Sequence, residues 1–207
     1  MIITIGRELG SGGREIGRRV AEKLGCGFYD KELLLEAAKK SGLAPECFEK
    51  ADERAERSIG TGLFGMRFPF LGDGASSIVP GFTNDTIFQI QSDTLRSIAE
   101  TEKKGVVFVG RCADYVLRDM EGLLNVFVSA DEEDRVKRVM SYFSCSESAA
   151  RDKIHKVDRQ RASYYEYYTS KDWGMAQSYH LCLNSSRFGV ERCVGMILSA
   201  ADGCGAE

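Results

Sequence analysis

The sequence predicts an α/β domain built on a parallel sheet, and three observations carry that prediction. Short apolar runs recur along the chain: IITI at 2–5, CGFYD at 26–30, GVVFVG at 105–110, LLNVFVSA at 123–130 and YHLCLNSS at 179–186. Stretches with helical spacing of apolar residues alternate with them. A glycine burst, GRELGSGG at 6–13, joins the first apolar run directly to the first helical pattern. Strands that are apolar throughout belong in a parallel sheet with both faces covered by helices. In such a sheet ligands sit beyond the carboxyl ends of the strands. That edge collects Gly6–Gly13, Asp30, Gly110–Asp114 and the end of VFVSA.

Each element has its own signature. IITI is the first strand. In REIGRRVAEKL (14–24), Ile16, Val20, Ala21 and Leu24 share one helical face. CGFYD is the second strand, and Asp30 can cap the helix KELLLEAAKK, which ends at Gly42. A charged helical stretch, ECFEKADERAERS, leads into GTGLFGMRFPFLGDGASSIVPGF, whose six glycines and four phenylalanines suit neither a stable element nor a plain linker. Two readings stand there: a substrate loop or partner surface, and an insertion packed on its own domain. Ile87, Phe88, Leu95, Ile98 and Ala99 mark a helix in NDTIFQIQSDTLRSIAETEKK. The strand GVVFVG, the short helix CADYVLRDM and the strand LLNVFVSA follow. Ser129 to Glu132 reads as a capping box for DEEDRVKRVMSYF, and Ser144 to Glu147 as a second box opening AARDKIHKVDRQRASYYEYY. Asp172-Trp-Gly174 breaks that helix, YHLCLNSS is the last strand, and VERCVGMILSAA closes the chain.

Composition excludes several classes. With 207 residues, 43% of them apolar, the chain can bury a proper core. A net charge of −3 with 29% charged residues is an ordinary surface, not a polyelectrolyte for nucleic acid or membrane. No apolar run approaches a membrane span, and MIITIGRELG is too short and too early in charge for a secretory signal. Seven cysteines without Cys-x-x-Cys spacing, and only two histidines, predict reduced thiols, a cytoplasmic protein and no zinc site. A hydrolase triad has no support beyond an isolated Cys112.

The glycine burst admits three uses. A dinucleotide fingerprint fails, because Glu15 stands where its last glycine belongs. A looser match to short-chain NAD(P)-dependent dehydrogenases survives in Gly6-x-x-x-Gly10-x-Gly12 with Tyr167-x-x-x-Lys171. It leaves only 36 residues beyond Lys171 in which to finish the sheet. A phosphate cradle needs strand, glycine loop and helix N-terminus in that order, so that backbone N–H groups and the helix dipole face the anion. IITI, GRELGSGG and REIGRRVAEKL supply them.

On these motifs the chain resembles the cytidylate-kinase-like proteins, P-loop relatives of nucleoside monophosphate kinases. ITIGRELGSGGREIGRRVAEKL carries most of the likeness; FYDKELL, VVFVGRCADYVL, KVDRQRASYYEYY and YHLCLNSS are consistent with it. The resemblance implies a three-layer P-loop NTPase fold with a parallel sheet of about five strands. It implies a single domain over 1–207 whose core is 1–30, 105–130 and 175–207. An acceptor-binding insertion would occupy 31–104 and a helical lid 131–172. It also implies ATP and Mg²⁺ as cofactors, nucleotide substrates, and phosphoryl transfer to (d)CMP or a related acceptor.

Carried over residue by residue, Gly10, Ser11, Gly12, Gly13 and Arg14 form the cradle. Yet Gly13 stands where the parent loop has its lysine, and Arg14 and Glu15 follow where it reads glycine and threonine. The charge must then come from Arg7 and Arg14, with Arg159 and Arg161 of the lid pattern Asp158-Arg159-x-Arg161. Arg135 and Arg138 are weaker lid candidates. Such a charge run can also be no more than a solvated helix face. Arg111 of Gly110-Arg111 would contact the acceptor, with Asp30 and Asp114 beside it. Cys112 departs from the aspartate of the parent motif. Alternatives are a nucleotide-binding regulatory module that has lost transfer and, behind it, the dehydrogenase. The 60–82 stretch suggests a homo-oligomer surface.

Overall fold

In a computed structural model of the chain, residues 1–30, Leu33 and 84–203 are described. Five parallel strands are present among them: β1 (Ile2–Arg7), β2 (Gly27–Tyr29), β3 (Val106–Val109), β4 (Leu123–Ser129) and β5 (Leu181–Asn184). They are ordered β2-β3-β1-β4-β5. The helices are α1 (Gly13–Leu24), α2 (Asn84–Thr101), α3 (Ala113–Val116), α4 (Glu132–Phe143), α5 (Glu147–Thr169) and α6 (Ser185–Gly203). The chain divides into two compact units, Glu32–Thr94 and the remainder. Of the first, the described residues are Leu33 and the start of α2, where Ser92 and Thr94 donate their hydroxyls to the carbonyls of Phe88 and Ile90. The helix expected at KELLLEAAKK, the charged stretch, the 60–82 surface and most of the expected insertion lie outside the described residues.

The α/β sheet expected from the apolar runs is present in the larger unit. Ile2–Ile5 and Val106–Val109 are buried along their whole length, as strands covered on both faces must be. On one face Ile3, Ile5, Val107, Val109, Val126 and Val128 meet Ile16 and Val20 of α1 and Val194 and Ile197 of α6. Between β1 and β4 the buried Thr4 donates its hydroxyl to Asn125 Oδ1 at 2.7 Å.

Three boundaries differ from the sequence reading, each for a local reason. Ser129 belongs to β4, and α4 is capped at Asp131 instead. Ser144 is the left-handed residue that ends α4, while Ser146 caps α5 by accepting from the Ala149 N–H. Both expected capping boxes were therefore placed two residues early. The last helix starts at Ser185, five residues ahead of its expected start, and is interrupted at Gly189.

The sheet order also bears on the dehydrogenase alternative, since nicotinamide-dinucleotide folds are wound 3-2-1-4-5-6. Its Tyr-Lys pair is not carried on one helix. α5 ends at Thr169, Ser170 is left-handed, and Lys171 lies beyond the helix while Tyr167 is exposed.

Candidate functional site

The glycine loop between β1 and α1 is held from outside through its carbonyl groups. The Arg7 carbonyl accepts from Arg161 Nη1 (2.9 Å), that of Glu8 from Ser11 Oγ (2.9 Å) and that of Leu9 from Arg135 Nε (2.8 Å). The Gly10 carbonyl accepts from Arg138 Nη1 (3.0 Å), that of Ser11 from Ser185 Oγ (2.6 Å) and that of Gly12 from the Ile16 N–H (2.9 Å). Every carbonyl from 7 to 12 is thus engaged. Carbonyl oxygens repel an anion, so tying each one down leaves the loop's positive character to the α1 N-terminus.

The clamp has its own charge balance. Arg135, almost fully buried, pairs with Asp158 and lies 3.2 Å from Glu8 Oε1. Asp158 in turn accepts the Leu9 N–H at 2.8 Å, and Glu8 Oε2 accepts the Ala130 N–H at 3.0 Å. Gly10 packs on this clamp so closely that a Cβ there would lie 2.8 Å from the Arg135 carbonyl oxygen.

Arg7 behaves differently. Its stem fills the space a side chain at Gly13 would need: a Cβ on Gly13 would stand 2.6 Å from Arg7 Cβ and 3.1 Å from its Cγ. Its guanidinium then crosses Gly110, where a Cβ would land on Nη1 with Cζ 2.9 Å away. The Arg7 stem requires a glycine at 13, whereas Gly110 meets only the flexible end of that side chain and is set by its own φ of 82°. The residue at the parent lysine position is small because an arginine from the end of β1 occupies its place.

Arg7, Arg111 and Arg161 form a positive group. Burial, with Arg161 and Arg111 nearby, pushes the Arg7 guanidinium well below the ordinary arginine range, against the pull of Asp30 and Asp158. Burial likewise lowers Arg111 to about 10, with Tyr164 opposing and Arg161 adding to the shift. Arg161 is lowered by burial, opposed by Asp158 and reinforced by Arg135. A guanidinium keeps its proton in proteins. The shifts register chiefly the burial of three cations, with mutual repulsion added and Asp158, 3.6 Å from Arg161, offsetting part of it; a phosphate entering here would meet desolvated positive charge.

The turn after β3 presents Arg111 by unusual backbone. Gly110, Arg111 and Cys112 are left-handed in succession, with φ of 82°, 65° and 53°. Two non-glycine residues in that region are strained, and such strain concentrates at functional sites. Cys112 is buried as a thiol pushed up to about 12, chiefly by burial, so it is no nucleophile. Asp114 accepts from Tyr165 Oη at 2.6 Å, and burial raises its pKa.

Asp30, at the carboxyl end of β2 and 5% exposed, accepts from Arg14. Nε and Nη2 of Arg14 both lie 2.6 Å from its Oδ2. Glu15 pairs with Arg19 at 2.6 Å on the outer side of α1. Arg159 is exposed and forms no hydrogen bond or ion pair among the described residues, while Arg161, two residues on, is drawn to the loop. Positions i and i+2 of a helix do not share a face. The structure thus brings together Arg7, Arg111 and Arg161 around Gly10–Gly13, places Asp30 and Arg14 beside them, and leaves Arg159 apart.

The sequence assigns Glu8, Asp158 and Ser185 no role of their own. It marks Arg135 and Arg138 only as lid candidates, whereas both serve as clamps. Their i, i+3 spacing, which places them on one helix face, was the available signal.

A parallel sheet in the order β2-β3-β1-β4-β5, with a glycine loop opening the helix after the first strand, defines the P-loop kinase class of fold. Among solved structures, an uncharacterized protein from Eubacterium ventriosum shares 27% identity and superposes with a TM-score of 0.72, with 98% of each chain covered. A shikimate kinase from Bacteroides thetaiotaomicron, 15% identical over 98% of each chain, gives 0.55. A gluconokinase from Sinorhizobium meliloti, 15% identical over 97% of this chain and 93% of its own, gives 0.50. No curated protein matches the chain significantly. The cytidylate kinase-like family matches residues 2–187, and the chain belongs to that family. Among the described residues, no helix is long and apolar enough to cross a membrane.

P-loop kinases imply a nucleoside triphosphate and a magnesium ion, and the two fit this site unequally. The cradle and the arginine group suit a polyphosphate. The loop donors do not suit magnesium: Gly13, Arg14 and Glu15 include no hydroxyl, Arg14 is cationic, and Glu15 is turned to Arg19. No group of three His, Cys, Asp or Glu residues able to hold a metal occurs among the described residues.

Proposed function

We propose that the protein transfers the terminal phosphoryl group of ATP to a small phosphorylated acceptor, (d)CMP or a related nucleoside monophosphate. The observation that carries this reading is the path of Arg7, which lays its stem over Gly13 and its charge over Gly110. That path returns to the cradle the positive charge a lysine-free loop lacks. An acceptor phosphate oxygen attacks the γ-phosphorus, the bond to the β,γ-bridging oxygen breaks, and ADP departs with that electron pair. Protein groups need only position and neutralise, since phosphoryl transfer asks for little covalent help. The amides at the α1 N-terminus hold the donor phosphates and Arg7 neutralises them. Arg111 binds the acceptor phosphate through its planar fork. Arg161 and Arg159, on the α4–α5 lid, supply charge as the group moves, and Asp30 and Asp114 border the acceptor.

A regulatory module that binds nucleotide without transfer is the second reading. It is favoured by Gly13, which leaves the loop without its lysine, and by Arg161 spending Nη1 on the Arg7 carbonyl.

Purified protein incubated with Mg-ATP and a panel of nucleoside monophosphates, with ADP measured for each, separates the two. Acceptor-dependent ADP is the result expected. ATP binding with no ADP from any acceptor overturns the kinase reading in favour of the module.

A further inference from the structure

Arg14 occupies the first turn of α1, between Gly13 at the parent lysine position and Glu15 at the parent hydroxyl position, and carries a guanidinium beside the place where a P-loop holds its metal. Its side chain is half exposed, but two of its nitrogens close on one oxygen of a carboxylate that is 5% exposed. Asp30 ends the strand next to β3, at the same sheet edge as Gly110 and Arg111. Its negative field reaches Arg7 across the loop mouth. The buried acid at this edge is therefore already neutralised by a cation that the chain itself supplies.

A divalent ion seeking Asp30 would have to displace a charge-assisted pair at 2.6 Å and would find Arg14's positive charge in its way. Repulsion between the guanidinium and a doubly charged ion a few ångströms away opposes the attraction that Asp30 would offer it. A polyphosphate entering the cradle meets the reverse situation, with a fixed cation at its edge as well as Arg7 beneath it.

We infer that the Arg14–Asp30 pair is a built-in replacement for the protein-held metal, so that this site binds nucleoside triphosphate without a divalent cation on its own side chains. The inference rests on the nucleotide-binding reading above and deepens it.

Calorimetric titration of ATP into the full chain, once with magnesium and once with EDTA, tests it by affinity and not by turnover. The wild-type affinity is expected to agree between the two buffers within about tenfold, the effect of a single charged contact. Arg14→Ser is expected to lose more than that in EDTA and to regain it when magnesium is added, while Arg14→Lys keeps the wild-type pattern. Thermal denaturation of each variant confirms that it is folded, and the wild-type comparison stands without them. A wild-type affinity that falls by more than about tenfold on chelation overturns this inference and leaves the nucleotide reading intact. Arg14→Ser that binds in EDTA as tightly as wild type also overturns it. ATP binding in neither buffer overturns both.

Discussion

Arg135 and Arg7 serve the same glycine loop, and the fold treats them in opposite ways. Arg135 sits between Glu8 and Asp158, which neutralise it, and spends a further donor on the Leu9 carbonyl. Arg7 lies with Arg111 and Arg161 for company, and its guanidinium makes no hydrogen bond or ion pair among the described residues. One is mortar and the other is an unspent charge. The difference teaches that residue type does not assign a role to an arginine; the number of acids within reach does. A balanced buried cation stabilises the structure it joins, while an unbalanced one stores free energy that an anion can release.

The largest effect should come from breaking the balanced side. Arg135→Met leaves the partly buried Asp158 and Glu8 without their shared cation, and should cost up to about 3–5 kcal/mol of stability. Chemical denaturation should show this as a lower midpoint at an unchanged slope. An unchanged midpoint would return Arg135 to the lid.

Arg7→Met should do the reverse. Stability should hold or rise as a desolvated positive charge is removed, while nucleotide affinity falls about 10- to 100-fold, the value of one charged hydrogen bond. The comparison can be sharpened by a swap. Gly13→Lys alone should be damaging, because its Cβ would run into the Arg7 stem. Combined with Arg7→Gly it should recover affinity, a coupling that independent sites would not show. Additive losses in the double variant would mean that Arg7 does not stand in for the lysine.

A smaller effect separates the two lid arginines. Arg161→Ala removes the donor to the Arg7 carbonyl and should lower both affinity and turnover. Arg159→Ala should change the unfolding free energy by no more than the roughly ±0.5 kcal/mol of an ordinary surface change. If turnover, measured on the acceptor identified by the panel, is also unchanged, Arg159 is a solvated-face residue.

At the turn after β3, Tyr165→Phe removes the hydroxyl that donates to Asp114 and should cost about 1–3 kcal/mol. Burial raises the Asp114 pKa, so the folded state favours its protonated form. The sign follows: Asp114 contributes stability below its unfolded pKa and loses it as pH rises through the folded value, and the Tyr165 bond softens that loss. The variant should therefore be hurt more at neutral pH than in acid, which melting curves at both can read.

Much of this protein was legible in its residues. Apolar runs without alternation named a parallel sheet, because only strands covered on both faces can be apolar throughout. The succession of IITI, glycines and REIGRRVAEKL placed a phosphate cradle at the first helix, because a helix N-terminus offers N–H groups to anything that glycine lets approach. The absence of a lysine points to Arg7 and Arg14, the cations that flank Gly10–Gly13. The sequence could not say which arginines would be neutralised. Glu8, Arg135 and Asp158 are 127 and 23 residues apart in turn, and only the return of α4 and α5 over the loop brings them together. Nor could it show that Gly13 and Gly110, 97 positions apart, lie against the stem and the tip of the same side chain. Local chemistry follows from neighbours in the chain, whereas charge balance and steric occupancy depend on neighbours in space, and those exist only once the sheet has closed its order.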